Sequence, residues 1–186
     1  MSENDRRAVG DELRRQQRTR CRLQGRALIV GGLIAAVATT IIVPATPRLV
    51  WNASASAPIG LYAVAPKTAV RIGDMVVARL PPSWRGFADA RRYVPAGVPL
   101  IKHIAAAAGD RVCARGDAIL VNGRALAKRR RFDAAGRVMP AWSGCMTLSN
   151  KTLFLLNDHP LSFDGRYFGA SATWDIVGTA YPLWTR

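Results

Sequence analysis

The sequence predicts a mainly β domain preceded by one N-terminal transmembrane helix. An apolar run of about 18 residues without an ionisable side chain, 27–44, predicts the helix. After this run, short stretches rich in β-branched residues alternate with Gly-Asp and Asn-Gly turns, which is typical of strands joined by tight connections. The chain has 186 residues, 49% of them hydrophobic, which is enough apolar material for one globular domain and an appendage.

The segment before the apolar run is basic. Residues 1–26 contain eight arginines against four acids, and the next charge after them is Arg48. Positive flanks stay in the cytoplasm, which predicts a cytoplasmic N-terminal segment, an anchor at 27–44 and an exported domain at 45–186. The apolar run is longer than most signal-peptide cores and its basic flank contains acids, so an uncleaved anchor is favoured over a cleaved signal.

The charge indicates possible binding partners, and the cysteine positions indicate a disulfide. The formal net charge of +15 would attract nucleic acid, anionic lipid or acidic polymers without choosing among them. In the predicted topology Cys21 lies in the reducing cytoplasm, whereas Cys113 and Cys145 share an oxidising compartment. A Cys113–Cys145 disulfide is therefore predicted, with two buried free thiols as the alternative.

The exported region reads as strands joined by turns. Asn122-Gly123 is a strong signal for a two-residue hairpin turn. Pro-, Gly- and Arg-rich stretches around 82–97 and 127–142 predict loops or inserted excursions. The predicted strands lie within residues 73–80, 109–126, 152–158 and 174–183.

One further stretch, 99–110, contains a lysine in an apolar row. On a strand, Leu100, Lys102, Ile104 and Ala106 share one face, and His103 lies on the other. Burial there would lower the pKa of the lysine from about 10.4 and make a neutral amine available as a general base. The alternative is a lysine whose stem lies on the sheet while its amine reaches water, and periodicity does not decide between them.

The sequence gives less support to a Ser-His-Asp triad or a metal site. His103 and His159 could form a Ser-His-Asp set with an aspartate, but neither lies in a recognisable motif, and His159 precedes Pro160 in a polar turn typical of the surface. Two isolated histidines without paired cysteine or carboxylate spacing offer no metal ligand set. Residues 52–62, "NASASAPIGLY", have the composition of a flexible spacer but contain two candidate nucleophiles, Ser54 and Ser56.

Three motifs follow one another along the chain: Asn52-x-Ser54-x-Ser56-x-Pro58-x-Gly60-Leu61-Tyr62, Ile101-Lys102 and Ser162-Phe163-Asp164-Gly165-Arg166-Tyr167-Phe168-Gly169. A Gly109-Asp110-x-Val112 element follows the second motif. This ordered set resembles a known family, the type I signal peptidases, and most closely their conjugative-transfer branch, the TraF-type pilin-maturation peptidases.

The resemblance implies a signal-peptidase-like β-rich domain with a Ser-Lys dyad and without metal or cofactor. Ser56 would be the nucleophile, Lys102 the general base, and Ser54 a local hydrogen-bonding residue. The Ser56 backbone N–H would be one oxyanion donor, and the second is not identified.

Supporting roles also follow from the resemblance. Asp164 and Arg166 would pair to hold the strand that carries Lys102, and Ser162 would orient its amine. The chain departs from the family pattern at Gly165, where a second serine is usual, and at Asn157-Asp158, which replaces Gly-Asp-Asn.

By the same resemblance, the domain would be periplasmic, would be held at the bacterial inner membrane by contact with lipid, and would bind no specific nucleic acid. Its substrates would be exported precursor polypeptides, notably the pilin subunit of a conjugative type IV secretion system, cut after small residues and in some members cyclised. Two alternatives stay open: a general-secretion signal peptidase, and a non-enzymatic scaffold whose basic exported domain binds lipid, DNA or other secretion components.

Overall fold

The computed structural model describes residues 23–39, 47–67 and 70–186. The chain divides into two units, Met1–Thr46 and Pro47–Arg186. In the first unit, helix α1 spans residues 23–39. Residues 40–44 of the predicted anchor lie outside the described part of the chain, as do residues 1–22 of the predicted cytoplasmic segment. Among the residues that are described, no helix combines the length and the apolar character needed to cross a membrane.

The second unit is mainly β, as predicted. Its strands are β1 Leu49–Asn52, β2 Gly60–Pro66, β3 Met75–Ala78, β4 Leu100–Ala106, β5 Arg111–Arg115, β6 Ala118–Val121, β7 Arg124–Lys128, β8 Gly144–Thr147, β9 Thr152–Leu156, β10 Ser171–Ala172 and β11 Ile176–Thr185. Its helices are α2 Pro82–Ala90, α3 Gly165–Phe168 and a 3-10 turn at Thr173–Asp175.

The described strands form two antiparallel sheets. The larger sheet has the order β1-β2-β11-β3-β4-β9-β10, and the smaller one has the order β7-β6-β5-β8. Strand β4 lies between β3 and β9, so both of its edges are paired. Four of the seven residues of β4 are buried, Lys102 among them.

The strand predictions are confirmed where β-branched residues are dense. Each predicted stretch contains a strand, and the hairpin turn between β6 and β7 is Asn122-Gly123, with φ of 51° and 84°. Strand β2, GLYAVAP, was not predicted because small residues and prolines dominate its surroundings. Its pairing with β1 on one side and β11 on the other makes it a strand.

The prediction of a loop is wrong for part of 82–97. Helix α2 begins with Pro82, and proline is well suited to the first turn of a helix, where no intrahelical N–H donor is needed. The helix turns Trp84 and Phe87 toward Phe163, with ring centroids 6.3 and 6.0 Å away, and it buries Ala88. Tertiary packing of this apolar face outweighs the Pro, Gly and Arg composition.

The two excursions are bound to each other. Tyr93, after α2, donates its hydroxyl to Asp133 Oδ2 at 2.6 Å, and Arg137 donates Nε to the same oxygen at 2.7 Å. Arg91 donates to the carbonyl of Val138 at 2.7 Å. We call residues 82–97 and 127–142 together the clasped lobe.

The predicted disulfide is present. Cys113 in β5 lies directly opposite Cys145 in β8, and the two sulfurs are bonded. The bridge joins positions 32 residues apart, so the loop that it closes includes all of 127–142.

Candidate active site

The loop between β1 and β2 is a fixed turn and not a flexible spacer. The Asn52 amide donates to the carbonyls of Ser54, Ala57 and Pro58 at 2.9, 3.0 and 3.0 Å. The buried Tyr62 donates its hydroxyl to the same Pro58 carbonyl at 2.6 Å. These bonds satisfy the backbone of the loop locally and set the position of the two serines.

Ser54 and Ser56 contact each other within this loop. Ser54 Oγ donates to Ser56 Oγ at 3.0 Å and accepts from the Ser56 backbone N–H at 3.3 Å. The local hydrogen bonding expected of Ser54 is therefore directed at Ser56 itself. The N–H expected to serve as an oxyanion donor points at the Ser54 hydroxyl.

Lys102 is buried in the middle of β4, with 2% of its surface exposed. Its Nζ donates to Ser162 Oγ at 2.7 Å and to Ser56 Oγ at 3.4 Å. Burial lowers its pKa from the usual value to about 8; the Asp164 carboxylate opposes this shift and the Arg166 guanidinium adds to it. The alternative of an amine that reaches water does not hold.

Asp164 and Arg166 form a buried ion pair. Arg166 Nε lies 2.8 Å from Asp164 Oδ1, and Nη2 lies 3.1 Å from Oδ2. The pair also holds the backbone of Asn157, whose N–H donates to Asp164 Oδ2 at 3.1 Å and whose carbonyl accepts from Arg166 Nη2. Two buried charges are thus matched to each other and to backbone groups.

The Asn157 side chain connects this ion pair to β4, the strand that carries Lys102, through two hydrogen bonds. Its side-chain amide donates to the Ile101 carbonyl at 3.0 Å, and its side-chain oxygen accepts from the His103 N–H at 3.1 Å. The side chain therefore pairs with β4 on both sides of Lys102. The sequence marks Asn157 only as a departure from the family pattern; its position directly after a buried strand is the signal that indicates a structural role.

Comparison with known proteins identifies the family of the chain. Residues 22–184 match the model of the signal peptidase, peptidase S26, family. The chain belongs to the signal peptidase S26 family. It is 33% identical over 182 residues to the conjugal transfer protein TraF of Agrobacterium tumefaciens, covering 92% of this chain and 98% of the relative. It is 36% identical over 130 residues to a plasmid transfer protein TraF of Escherichia coli, covering 63% and 72%.

Among solved structures, a signal peptidase I from Enterococcus faecalis matches with a TM-score of 0.36 and 22% identity, covering 62% of this chain and 98% of that one. The family match and the TraF relatives confirm the resemblance that the motifs indicated.

The departure of this S26 member at Gly165 has a steric reason. A Cβ at Gly165 would lie 2.8 Å from the Leu155 carbonyl oxygen and 2.9 Å from a ring carbon of Phe154. A serine at this position would push the start of α3 away from β9. The close approach of these two elements keeps Asp164 within reach of Asn157.

The two histidines make other contacts. His103 Nδ1 lies 3.3 Å from the Gly73 carbonyl, on the face of β4 opposite to Lys102. His159 is half-buried, and its Nδ1 accepts from the Leu161 N–H at 3.2 Å. Of the two candidate nucleophiles, Ser54 and Ser56, it is Ser56 whose hydroxyl contacts Lys102, at 3.4 Å.

Proposed function

We propose that this S26 family member is a membrane-anchored serine endopeptidase with Ser56 as its nucleophile and Lys102 as its general base. The contact between the buried Lys102 amine and Ser56 Oγ, 3.4 Å apart, is the observation that carries the proposal. With a pKa of about 8, roughly a tenth of the amine is neutral at pH 7. A lysine at its usual pKa would be almost fully protonated there.

The reaction follows from this pair. Neutral Lys102 takes the Ser56 hydroxyl proton while Ser56 Oγ attacks the scissile carbonyl. The tetrahedral intermediate collapses as Lys102 gives that proton to the leaving amine, and an acyl-enzyme remains. Lys102 then takes a proton from water as the water attacks the ester, and it returns this proton to Ser56 Oγ as the second product leaves, which restores the free enzyme.

The oxyanion that forms in both steps requires two hydrogen-bond donors. The Ser56 backbone N–H and the Ser54 hydroxyl are the donors that we assign. In the free chain the Ser56 N–H donates to Ser54 Oγ at 3.3 Å and the Ser54 hydroxyl donates to Ser56 Oγ at 3.0 Å, so a substrate carbonyl oxygen would replace both acceptors. This assignment supplies the second donor that the sequence did not identify.

The substrate in this proposal is an exported precursor polypeptide, specifically the pilin subunit of a conjugative type IV secretion system. Two lines of evidence support it: similarity to conjugal transfer proteins over 92% of the chain, and the basic segment followed by an uncharged apolar run. The run would hold the catalytic domain at the periplasmic face of the inner membrane, where exported precursors emerge.

Processing of the pilin precursor by the full-length chain in membranes tests the proposal. Ser56→Ala and Lys102→Ala should each reduce processing by at least about 10³-fold. His103→Ala, on the neighbouring residue of β4, is the matched control and should retain processing. Loss in His103→Ala with activity in Lys102→Ala would contradict the assigned base, and activity in Ser56→Ala would contradict the nucleophile.

A further inference from the structure

In the described part of the chain, Arg129 is a buried cation without an acidic partner. Only 9% of its surface is exposed, yet none of the ion pairs among the described residues includes it. Its guanidinium donates instead to two backbone carbonyls, through Nη1 to Trp142 at 2.6 Å and through Nη2 to Gly116. Buried arginines are normally paired with an acid, as Arg166 is with Asp164 at 2.8 Å. The charge of Arg129 has no such match.

The guanidinium of Arg129 also has unused hydrogen-bond donors. An arginine side chain has five N–H donors in a planar fork. Two of the five bind the Trp142 and Gly116 carbonyls, and the other three have no acceptor among the described residues. A planar cation with free donors is the side chain that best matches the oxygens of a carboxylate or a phosphate.

Arg129 lines a groove of about 290 Å³ in the second excursion of the clasped lobe. Arg130 and Arg131 line the same groove, and both are exposed. Asp117 is the one acid among the described residues of the lining, and its Oδ2 lies 3.7 Å from Arg131 Nε. Both side chains of that pair are more than half exposed, so the pair contributes little. Three guanidinium groups against one carboxylate make this groove electropositive, and we call it the arginine groove.

Apolar side chains complete the lining of the arginine groove. Phe132 and Val138 lie opposite each other in an isolated β-bridge, with 54% and 66% of their surfaces exposed. Exposed apolar side chains gain free energy when an apolar group covers them. The combination of cations and apolar surface therefore fits an anion carried on an organic chain better than a free inorganic ion.

The arginine groove is continuous with the candidate active site. Arg130, Phe132 and Met139 line both this groove and the cavity beside the Ser56 and Lys102 side chains. An extended polypeptide bound at Ser56 advances about 3.3 Å per residue, so a side chain several residues from the scissile bond can reach the groove. This continuity favours a carboxylate of the bound polypeptide over a lipid phosphate as the anion.

We propose that the arginine groove is an exosite that binds an acidic side chain of the precursor polypeptide, several residues away from the scissile bond. The carboxylate accepts hydrogen bonds from the free donors of Arg129, and Arg130 and Arg131 add to the attraction. No covalent bond changes in the groove, so the exosite contributes affinity and selects precursors. The proposal rests on the proposed peptidase function and adds to it a requirement for an acidic residue.

The test uses the pilin-junction peptide, a synthetic peptide that spans the cleaved junction of the pilin precursor. Each position within about ten residues of the scissile bond is replaced in turn by Glu and by its uncharged analogue Gln. The full-length chain in a neutral detergent is the enzyme, and kcat and KM are measured separately. At one position the KM of the Glu peptide should be at least about tenfold lower than that of the Gln peptide. Their kcat values should be equal, because the groove does not contact the reacting atoms.

Three arginine variants test whether the groove causes this preference. Arg129→Gln and Arg131→Gln each remove a charge that lines the groove, whereas Arg124→Gln removes an exposed charge of β7 outside it. Arg129→Gln should abolish the preference for Glu, Arg131→Gln should reduce it about threefold, and Arg124→Gln should retain it. Circular dichroism melting curves show whether each variant is folded. Because Arg131 is exposed, its variant tests the groove even if loss of the buried Arg129 side chain unfolds the chain.

The outcomes separate the exosite from the peptidase. Cleavage without a preference for Glu at any position, a preference that survives in both groove variants, or an equal loss in Arg124→Gln would overturn the exosite and leave the peptidase standing. An effect of Arg131→Gln that appears only when the micelles contain phosphatidylglycerol would assign the groove to a lipid headgroup and would also overturn the exosite. If the wild-type chain cuts neither the peptides nor the intact precursor, the peptidase assignment fails and the exosite fails with it.

Discussion

The Lys102 amine donates a 2.7 Å hydrogen bond to the hydroxyl of Ser162, a residue 60 positions further along the chain. Both side chains are buried, so this bond fixes the amine at one place without competition from water. A neutral amine keeps two N–H donors, so the bond can persist in either protonation state. The lone pair of the neutral form is then free to face Ser56.

Activity should therefore depend on pH through the neutral fraction of Lys102. We expect kcat/KM to rise about tenfold per pH unit at acidic pH and to level off above a pKa of about 8. Initial rates on the pilin-junction peptide between about pH 6 and pH 10 measure this profile. A profile governed by a pKa near 6.5 would indicate a histidine base instead.

Removing the buried amine should make the chain more stable. The pKa of Lys102 is lower in the folded state, so the unfolded chain binds more protons between about pH 8 and pH 10.5, and stability rises with pH across that window. Below about pH 8, burial of the charged amine lowers the free energy of unfolding by on the order of 3 kcal/mol. Lys102→Met should raise the free energy of unfolding at pH 7 by about 2–3 kcal/mol while abolishing processing.

Urea denaturation of the full-length chain in detergent measures this change, and Lys151→Met, at an exposed lysine, is the control that should have little effect. The gain should shrink as the pH approaches the ordinary lysine pKa. A gain that is absent at pH 7 would mean that Lys102 is not held in an unfavourable charged state.

Asn157 should position Lys102 through β4. Asn157→Ala leaves the Ile101 carbonyl and the His103 N–H without their partner, which should cost about 1–3 kcal/mol of stability and lower kcat. Asn157→Asp retains the acceptor for His103 and adds a negative charge close to Lys102, so it should move the activity profile to higher pH. Asn150→Ala, at an exposed residue, is the control. An unchanged profile in Asn157→Asp would limit Asn157 to a purely structural role.

The disulfide should stabilise the small sheet and the excursion that it encloses. Replacing both Cys113 and Cys145 by alanine should lower the free energy of unfolding by about 2–4 kcal/mol, since the bridge closes a segment of 32 residues. Thiol alkylation before and after reduction checks the pairing. We expect Cys21 to react at once and the other two only after reduction; three reactive thiols in the unreduced protein would contradict the bridge.

Local sequence patterns alone predicted several strands, one hairpin turn and the family of this protein. Gly-Asp turns before β-branched residues predicted β3 and β5, and Asn122-Gly123 predicted the turn between β6 and β7, because these signals act within a few residues of chain. The ordered motifs around Ser56, Lys102 and Asp164 indicated the S26 family without any knowledge of contacts.

Tertiary structure decided what those residues can do. Periodicity left Lys102 equally compatible with a buried base and with a solvated surface lysine, because burial depends on whether β9 and the segment around Ser162 pack against β4. The bonds of Asn157 to β4 and the junction of the two excursions join residues about 40 to 56 positions apart. No local pattern encodes such contacts, since they form only when distant segments exclude water together.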